Sequence, residues 1–273
     1  MKEIYTRSLS GLFYILLLLF SLKFQIGLIL IFYIFGMVCL LELNRLISLK
    51  SLIPYLIFTV LYFVFGYWQL LLNTAKGLDE ATQILMVISI FVNLFLIKDL
   101  FSQKVIPLFS SKRFIITTFY LSSAFIFLIL TANYFSVFNP NILLGLFILI
   151  WTNDTFAFLI GKNFGKQKLF EKISPKKTVE GFLGGLFFSC VASYFITTFT
   201  AVLNFTNWLF LSIIISVFGT LGDLVESKLK RQANVKDSGA IMPGHGGLLD
   251  RLDSIIFAAP FIYLFLRVLK YVS

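Results

Sequence analysis

Long apolar runs separated by short polar segments dominate the chain. Nine such runs lie near residues 8–22, 25–43, 52–72, 83–98, 114–131, 141–160, 181–200, 206–224 and 252–270. A helix needs roughly 20 mostly apolar residues to cross a bilayer. The pattern therefore predicts an all-α fold, a polytopic membrane bundle of about nine transmembrane helices. Because the first run is short, the first two runs could instead form a re-entrant hairpin.

Composition supports the membrane class and excludes a soluble globular domain. Of the 273 residues, 59% are hydrophobic and only 13% are charged, whereas soluble domains carry about 25% charged residues. The net charge of +10 indicates contact with anionic membrane lipids and no nucleic-acid partner. Cys39 and Cys190 lie within apolar runs and indicate no disulfide or metal framework.

The distribution of basic residues predicts the orientation of the chain. With the N-terminus in the cytoplasm, all but four of the 23 Lys and Arg fall on the inner side, the exceptions being Lys23, Lys76, Arg267 and Lys270. Cytoplasmic loops of membrane proteins carry such an excess. We therefore expect an odd number of spans, with the C-terminus outside. The basic start lacks a small-residue cleavage site after Leu22, which indicates a retained first span.

Acidic residues divide the chain into two regions. Every acidic residue after position 150 falls in or beside two inner polar loops, at 161–180 and 225–251, while the outer loops at 132–140 and 201–207 are uncharged. We therefore expect an N-terminal scaffold of about five helices at 1–140. The C-terminal region at 141–273 is expected to be catalytic.

The first inner loop combines a carboxylate, glycines and lysines. Asp154 lies within the 141–160 run, and a carboxylate in a membrane helix usually faces a cavity or a partner. The alternative is a structural pair with a Lys or Arg of the bundle. Gly161 and Gly165, with lysines around them, predict a flexible basic turn and backbone clearance.

A Ser-Pro-Lys-Lys-Thr segment at 174–178 stands immediately before the next apolar run. Ser or Thr at a helix start can cap free N–H groups, and a helix N-terminus attracts anions. Lys176 and Lys177 would reinforce phosphate binding there. The alternative is that these lysines only follow the inner-side excess of positive charge.

The second inner loop brings acids and cations to two helix ends. Asp223, Glu226, Ser227 and Lys230 share one face if the helix continues, and so do Asp250 and Asp253. Carboxylates from neighbouring helix ends can hold Mg²⁺, which prefers a few carboxylates with waters and phosphates. Donors for phosphate oxygens would be Lys230, Arg231, Lys236 and Arg251. Gly244, Gly246 and Gly247 would let the backbone approach a ligand, and we expect His245 to hydrogen-bond to substrate.

These motifs together resemble a known family. Ser227-x-Leu229-Lys230-Arg231, Lys236-Asp237 and the run from Pro243 to Asp253, PGHGGLLDRLD, are similar to the signature of phosphatidate cytidylyltransferases, the CDP-diacylglycerol synthases. The upstream block from Asp154 to Gly181 resembles the other conserved block of that family. Val179 stands where the family commonly has Trp, and Phe158 where it commonly has Tyr. The resemblance covers residues 150–273 well, and before residue 150 it rests on hydropathy.

The resemblance implies a reaction and a set of roles. CTP and phosphatidate would give CDP-diacylglycerol and pyrophosphate in a Mg²⁺-dependent reaction, with Asp223 and Asp250 as metal ligands and a second, monovalent ion such as K⁺ also conceivable. The enzyme would lie in the cytoplasmic (inner) membrane of a bacterium, its site facing the cytoplasm, and a homodimer is plausible. The expected catalytic residues are Asp223, Asp250, Lys230, Arg231, Lys236, Asp237, His245, Arg251 and Asp253. The expected substrate-binding residues are Asp154, Ser174, Lys176, Lys177, Thr178, Ser227, Gly246 and Gly247.

Two other classes of function remain open from the sequence. Asp154, Asp223 and Asp250 could line the path of a cation transporter, although the uncharged outer loops argue against a path through the membrane. A related membrane enzyme could also use a nucleotide on a different lipid, as a polyprenol kinase does. The fixed spacing from Lys236-Asp237 to Asp250-Arg251 favours the cytidylyltransferase.

Overall fold

Helices account for most of the structure. The computed structural model describes residues 2–66, 78–102, 104–134, 138–244 and 246–272, with side chains described from residue 9 to residue 271. The helices are α1 (Lys2–Ser21), α2 (Gln25–Leu46), α3 (Ile53–Tyr62), α4 (Leu78–Phe101), α5 (Ser110–Ile115), α6 (Ser123–Thr131), α7 (Asn141–Phe164), α8 (Val179–Thr200), α9 (Phe205–Gln232) and α10 (Leu249–Val272). A π-helical segment, Ile116–Ser122, joins α5 to α6.

The predicted all-α membrane bundle is confirmed. Among the described residues, seven helices are long and apolar enough to cross a membrane, with α5 to α6 counted as one. Two shorter apolar helices, Leu9–Ser21 and Ile53–Gly66, occupy the places of the first and third predicted runs. The end of the third run, 67–72, lies outside the described residues. Nine crossings and a cytoplasmic N-terminus stay predictions.

The core and the lipid-facing surface follow from the same apolar composition. Every residue of α6 is buried at the centre of the bundle, whereas α8 exposes large apolar side chains such as Leu183, Phe187 and Phe199. Helices suit both places because each satisfies its own backbone hydrogen bonds, which a bilayer requires. The exposed face of α8 is therefore a surface for lipid tails.

The first polar loop is more ordered than the sequence predicts. Helix α7 continues to Phe164, and two short strands follow, β1 (Lys168–Phe170) and β2 (Ser174–Thr178). They pair antiparallel, with Lys168 opposite Thr178 and Phe170 opposite Ser174. The prediction of a flexible turn at Gly161 is wrong, since Gly161 lies within α7 and Gly165 ends the helix.

The expected backbone clearance at these glycines is confirmed. A Cβ added at Gly181 in α8 would lie 2.7 Å from the carbonyl oxygen of Ala157 and 3.1 Å from the Cα of Gly161, both in α7. The absence of side chains at both positions lets α7 and α8 approach closely at the end where the hairpin begins. This close approach fixes where the hairpin leaves the bundle.

The second polar loop is shorter than predicted, because α9 runs beyond residue 224 to Gln232. Helix α10 begins at Leu249, so the connection covers residues 233–248. Helices α9 and α10 pack along each other, and α7 packs along α8. The two polar segments are thus held at the same end of a four-helix group, where the candidate site lies.

Candidate active site

A cavity of about 1050 Å³ opens between α1, α7, α8, α9, α10 and the hairpin. The predicted site residues that line it are Asp154, Lys176, Lys177, Thr178, Asp223, Lys230, Asp250, Arg251 and Asp253. Both polar segments, more than 40 residues apart in the printed sequence, contribute to it. The structure therefore brings together in one place most of the chemistry that the sequence separates.

Asp250 is the most completely bonded carboxylate of the cavity. Its Oδ2 accepts hydrogen bonds from the backbone N–H of Ser238 (2.9 Å), the hydroxyl of Ser238 (2.9 Å) and the backbone N–H of Gly247 (2.8 Å). Its Oδ1 lies 2.5 Å from Nζ of Lys230. With one oxygen filled by three donors, only Oδ1 can change partner, and the carboxylate plane is fixed.

Lys230 joins α9 to α10 from a buried position. The residue is only 8% exposed, and its Nζ lies 2.6 Å from Oε2 of Glu226 and 2.5 Å from Oδ1 of Asp250. Because α9 continues through this region, the predicted shared face of Asp223, Glu226, Ser227 and Lys230 is confirmed. A buried cation between two carboxylates is a stable arrangement only while all three are present.

Asp223 occupies a more open part of the cavity. Its Oδ2 lies 2.5 Å from Nζ of Lys177, and the two side chains are 34% and 27% exposed. Its Oδ1 accepts a hydrogen bond of 3.1 Å from the hydroxyl of Ser227, one turn further along α9. Lys177 reaches α9 from the hairpin, so this ion pair connects the hairpin to the helix.

The predicted helix cap at Thr178 is confirmed. Its Oγ1 accepts a hydrogen bond of 3.1 Å from the backbone N–H of Gly181, in the first turn of α8. Glu180 holds the other end of the hairpin, accepting from the backbone N–H of Lys166 (2.9 Å) and Gln167 (3.1 Å). These bonds fix the hairpin over the cavity and so place Lys176 and Lys177 on its wall.

Asp154 faces the cavity from α7, as one of the two interpretations of the sequence predicts. Within the described ranges no Lys or Arg forms an ion pair with it, and Nδ2 of Asn153 donates a long hydrogen bond of 3.5 Å to its Oδ1. The alternative of a structural ion pair is therefore not supported by the described side chains. The carboxylate is directed instead towards the space that a ligand would fill.

The sequence is similar to those of known proteins along most of its length. A family model described as "Cytidylyltransferase family" matches residues 4–269. The chain belongs to this family. It is 39% identical to the phosphatidate cytidylyltransferase of Bacillus subtilis over 238 residues, 86% of each chain. It is 50% identical to that of Staphylococcus aureus (strain COL) over 122 residues, 44% of this chain and 46% of the relative. The resemblance inferred from the motifs is confirmed.

Some predicted site residues of this cytidylyltransferase lie away from the cavity wall. Arg231 donates to the carbonyl of Val235 at 3.2 Å, and Lys236 and Asp237 are exposed on the loop after α9. Ser174 begins β2, and the hydroxyl of Ser227 donates a hydrogen bond to Asp223. His245 lies outside the described residues.

The two predicted substrate-binding glycines of the second loop have structural surroundings. The carbonyl of Gly246 accepts a hydrogen bond of 3.0 Å from the N–H of Met242, and its φ of 90° favours glycine. A Cβ on Gly247 would lie 2.7 Å from both carboxyl oxygens of Glu42. Contact of either glycine with substrate stays a prediction.

Several contributions to the site were not predicted from the sequence. Gly11, Tyr14 and Ile15 of α1 line the cavity, although the first 140 residues were expected to be scaffold. Glu42 of α2 bonds to Ser238 and Leu248 of the loop and to Leu249, the residue of α10 that precedes Asp250. The one sequence signal for Glu42 is a carboxylate within an apolar run, which usually has a partner.

Lys228 shows that a cation of the signature region can be structural. Its Nζ donates to the backbone carbonyls of Asp99 (2.6 Å) and Ser102 (2.7 Å). The last carbonyls of a helix lack partners within the helix, so Lys228 caps the C-terminal end of α4. Lys228 and Lys230 have different roles because residues two apart on a helix point to different sides.

The family implies a Mg²⁺ ion, and the carboxylates of the cavity are the candidate ligands for it. In the described parts of the chain, no group of three or more His, Cys, Asp or Glu has metal-binding geometry. Mg²⁺ is commonly held by one or two carboxylates with substrate phosphates and waters, and Asp223 and Asp250 both line the cavity. Each has an oxygen that now bonds to an ammonium group, on Lys177 and on Lys230. The donor set fits Mg²⁺ provided that the ion takes those two oxygens.

Proposed function

We propose that the protein is a phosphatidate cytidylyltransferase, which makes CDP-diacylglycerol and pyrophosphate from CTP and phosphatidate. The observation that carries the proposal is the cavity in which carboxylates of α7, α9 and α10 meet lysines of the hairpin. Its volume of about 1050 Å³ is at the upper end of the range for small-molecule sites, roughly 300–1000 Å³. Membership of the family and the motif spacing support the same reaction.

The chemistry needs positioning and charge neutralisation more than a strong base. A phosphate oxygen of phosphatidate forms a bond to the α-phosphorus of CTP, and the bond from that phosphorus to the β-phosphate bridging oxygen breaks. The electron pair leaves with pyrophosphate. The phosphatidate phosphate is already anionic near neutral pH, so no proton has to be removed in the transition state. Preorganised cations are then the main source of rate.

We assign neutralisation of the phosphates to the cations of the cavity wall. Lys176 and Lys177 approach from the hairpin and Arg251 from the start of α10. Arg251 can bind two phosphate oxygens at once. Lys162 and Lys168 line the same cavity and extend this positive surface towards the cytoplasmic side predicted from the charge distribution.

We propose that Asp223 and Asp250 would hold the Mg²⁺ ion. A bound Mg²⁺ would supply additional neutralisation of phosphate charge. Lys177 would then move from Asp223 to a phosphate oxygen. Lys230 would release Asp250 and stay bonded to Glu226. Asp250 keeps its orientation through this exchange, because Ser238 and Gly247 hold its other oxygen.

The substrate lipid requires access from the bilayer. Phe158 and Phe182 line the cavity beside its charged residues, and Phe158 is 65% exposed. Apolar residues at the mouth of a charged cavity suit a molecule with a phosphate at one end and acyl chains at the other. We therefore place the lipid entry on the side of α7 and α8, at the inner face of a bacterial cytoplasmic membrane.

Pyrophosphate release tests the proposal directly. Purified protein in detergent is given phosphatidate, Mg²⁺ and each of the four ribonucleotides in turn. We expect release with CTP, dependent on phosphatidate and on Mg²⁺, and a loss of at least about 100-fold in the Asp250→Asn variant. Asp79→Asn is the matched control, since Asp79 pairs with Arg267 at the other end of α10 and should leave the rate unchanged.

Three results would contradict the proposal or one of its parts. Folded wild-type protein that releases no pyrophosphate with any nucleotide would favour a transporter or a different lipid substrate. Full activity of Asp250→Asn would remove that residue from the site. Loss of Mg²⁺ dependence in a still active enzyme would overturn the assigned metal without touching the reaction.

A further inference from the structure

Glu42 is a buried carboxylate in the half of the chain that was expected to be scaffold. It is 0% exposed, near the C-terminal end of α2. Its Oε2 accepts a hydrogen bond of 2.8 Å from the backbone N–H of Leu249, and its Oε1 accepts one of 3.2 Å from the N–H of Leu248. These N–H groups begin α10 and have no acceptor within that helix. Glu42 thus caps α10 from a different helix.

The same carboxylate is connected to Asp250 through one side chain. The hydroxyl oxygen of Ser238 lies 2.9 Å from Oδ2 of Asp250 and 3.4 Å from Oε2 of Glu42. Gly247 donates its N–H to Asp250 directly before the two residues that donate to Glu42. Within the part of the chain that the structure describes, the hydrogen bonds to Asp250 Oδ2 come from backbone N–H groups and from a hydroxyl that also adjoins Glu42.

Two glycines leave the space that the Glu42 carboxyl group fills. A Cβ on Gly247 would lie 2.7 Å from both oxygens, and a Cβ on Gly239 would lie 2.8 Å from Cδ. Real Cβ atoms do not approach other atoms so closely, so side chains at these positions would displace the carboxyl group or the loop. The loop backbone is therefore shaped around Glu42.

We propose that Glu42 is a positioning residue for the transfer reaction. It holds Ser238, Gly247 and the first residues of α10 so that Asp250 keeps Oδ1 directed at Lys230 and the cavity. Glu42 is not among the described residues that line the cavity. The proposal rests on the function proposed above for its kinetic part, while its structural part stands on the hydrogen bonds alone.

A glutamine cannot replace this glutamate, although its shape is nearly the same. Both carboxyl oxygens of Glu42 accept hydrogen bonds from N–H groups. An amide would accept on one side and present its own NH₂ group to a second donor on the other. A buried donor left without an acceptor costs about 1–3 kcal/mol, and in this place the loop can avoid that cost by moving away, which would release Asp250.

Amide hydrogen exchange and steady-state kinetics of Glu42→Gln test the proposal. We expect faster exchange in the peptide covering 246–249. We also expect kcat to fall about 10- to 100-fold, as for loss of other residues that orient a catalytic group, with smaller changes in KM for CTP and phosphatidate. Asn93→Leu is the matched control. Asn93 is equally buried and donates to the carbonyl of Phe257 in α10 at 3.1 Å, so its loss should lower stability without faster exchange at 246–249 or a fall in kcat.

Ser238→Ala decides the question if Glu42→Gln does not fold. This variant removes only the bridging hydroxyl, and we expect kcat to fall by about 5- to 10-fold with little change in the unfolding temperature. The proposal would be overturned if kcat were unchanged in Ser238→Ala. It would also be overturned if a folded Glu42→Gln showed the same hydrogen exchange at 246–249 and the same kcat as Asn93→Leu. If the wild type lacks cytidylyltransferase activity, the proposed function fails, while exchange at 246–249 still tests whether Glu42 holds the loop.

Discussion

The two sides of the cavity hold their carboxylates in different ways. On the hairpin side, Asp223 bonds to Lys177, and both side chains are partly exposed. On the side of α10, Asp250 bonds to buried Lys230 and to three donors of its own loop. Partly exposed ion pairs contribute about 0–1 kcal/mol, whereas breaking a buried pair costs about 3–5 kcal/mol. The hairpin side is therefore able to rearrange around a ligand at little cost. On the side of α10, the loop fixes the plane of the Asp250 carboxylate before a ligand arrives, and only its Oδ1 is left to change partner.

Lys230→Met should have the largest effect, because it strips the buried side of its cation. Glu226 and Asp250 would both lose their shared partner. We expect a loss of stability of about 3–5 kcal/mol, seen as a lower unfolding temperature in detergent, together with loss of pyrophosphate release. Stability equal to the wild type would show that the two sides of the cavity do not differ in the way described.

Lys228→Met is the matched control for Lys230→Met. Lys228 lies on the same helix and is 9% exposed against 8% for Lys230, but it bonds to carbonyls at the end of α4. We expect lower stability, by about 1–3 kcal/mol for polar groups left unsatisfied, with kcat unchanged. A fall in kcat as large as that of Lys230→Met would mean that any buried cation of α9 affects catalysis.

Lys177→Met should separate activity from stability on the hairpin side. The pair with Asp223 is partly exposed, so its loss should change the stability by no more than about 1 kcal/mol. The rate should fall by about 100-fold if Lys177 stabilises phosphate charge in the transition state. Rate and unfolding temperature are measured on the same preparation, and a wild-type rate would contradict the proposed role of the hairpin.

Thr178→Ala should have the smallest effect, through the helix cap that supports the hairpin. The loss of the bond to the N–H of Gly181 should lower the stability by about 1 kcal/mol and reduce the rate less than Lys177→Met does. Thr178→Ser keeps the hydroxyl and serves as the control. If Thr178→Ser and Thr178→Ala lose the same stability and rate, the methyl group of Thr178 and not the helix cap is important at this position.

The sequence predicts the membrane bundle and much of the cavity wall. Apolar runs predict helices because a bilayer leaves few other structures for a spanning chain. The shared face from Asp223 to Lys230 and the cap at Thr178 follow from the helix repeat and from side-chain chemistry near the backbone. Both depend only on residues close together in the chain, which is why local pattern was enough.

The sequence does not predict contacts between distant segments. The hairpin from Lys168 to Thr178 lacks the alternation of apolar and polar residues that marks a strand, and four of its positions are Lys. Glu42 reaches Leu248 across the bundle, and its partners there are backbone groups, which carry no side-chain signal. The place of α1 on the cavity wall is not predictable either, because nothing in its apolar sequence distinguishes the face towards α7 from the face towards lipid.

The bond between Glu42 and α10 has a consequence for biosynthesis. Glu42 is made 206 residues before Leu248, its bonding partner, which at roughly 5–20 residues per second is about 10–40 s of translation. Throughout that time α2 must reside in or beside the bilayer with an acidic side chain, because the N–H groups that will donate to it have not yet been synthesised. Insertion scales put the cost of an acidic side chain near 3 kcal/mol at the centre of a membrane helix, and the cost is lower for Glu42 because it lies near the end of α2. The first half of the nascent chain therefore carries this free-energy cost until α10, the last helix, emerges from the ribosome.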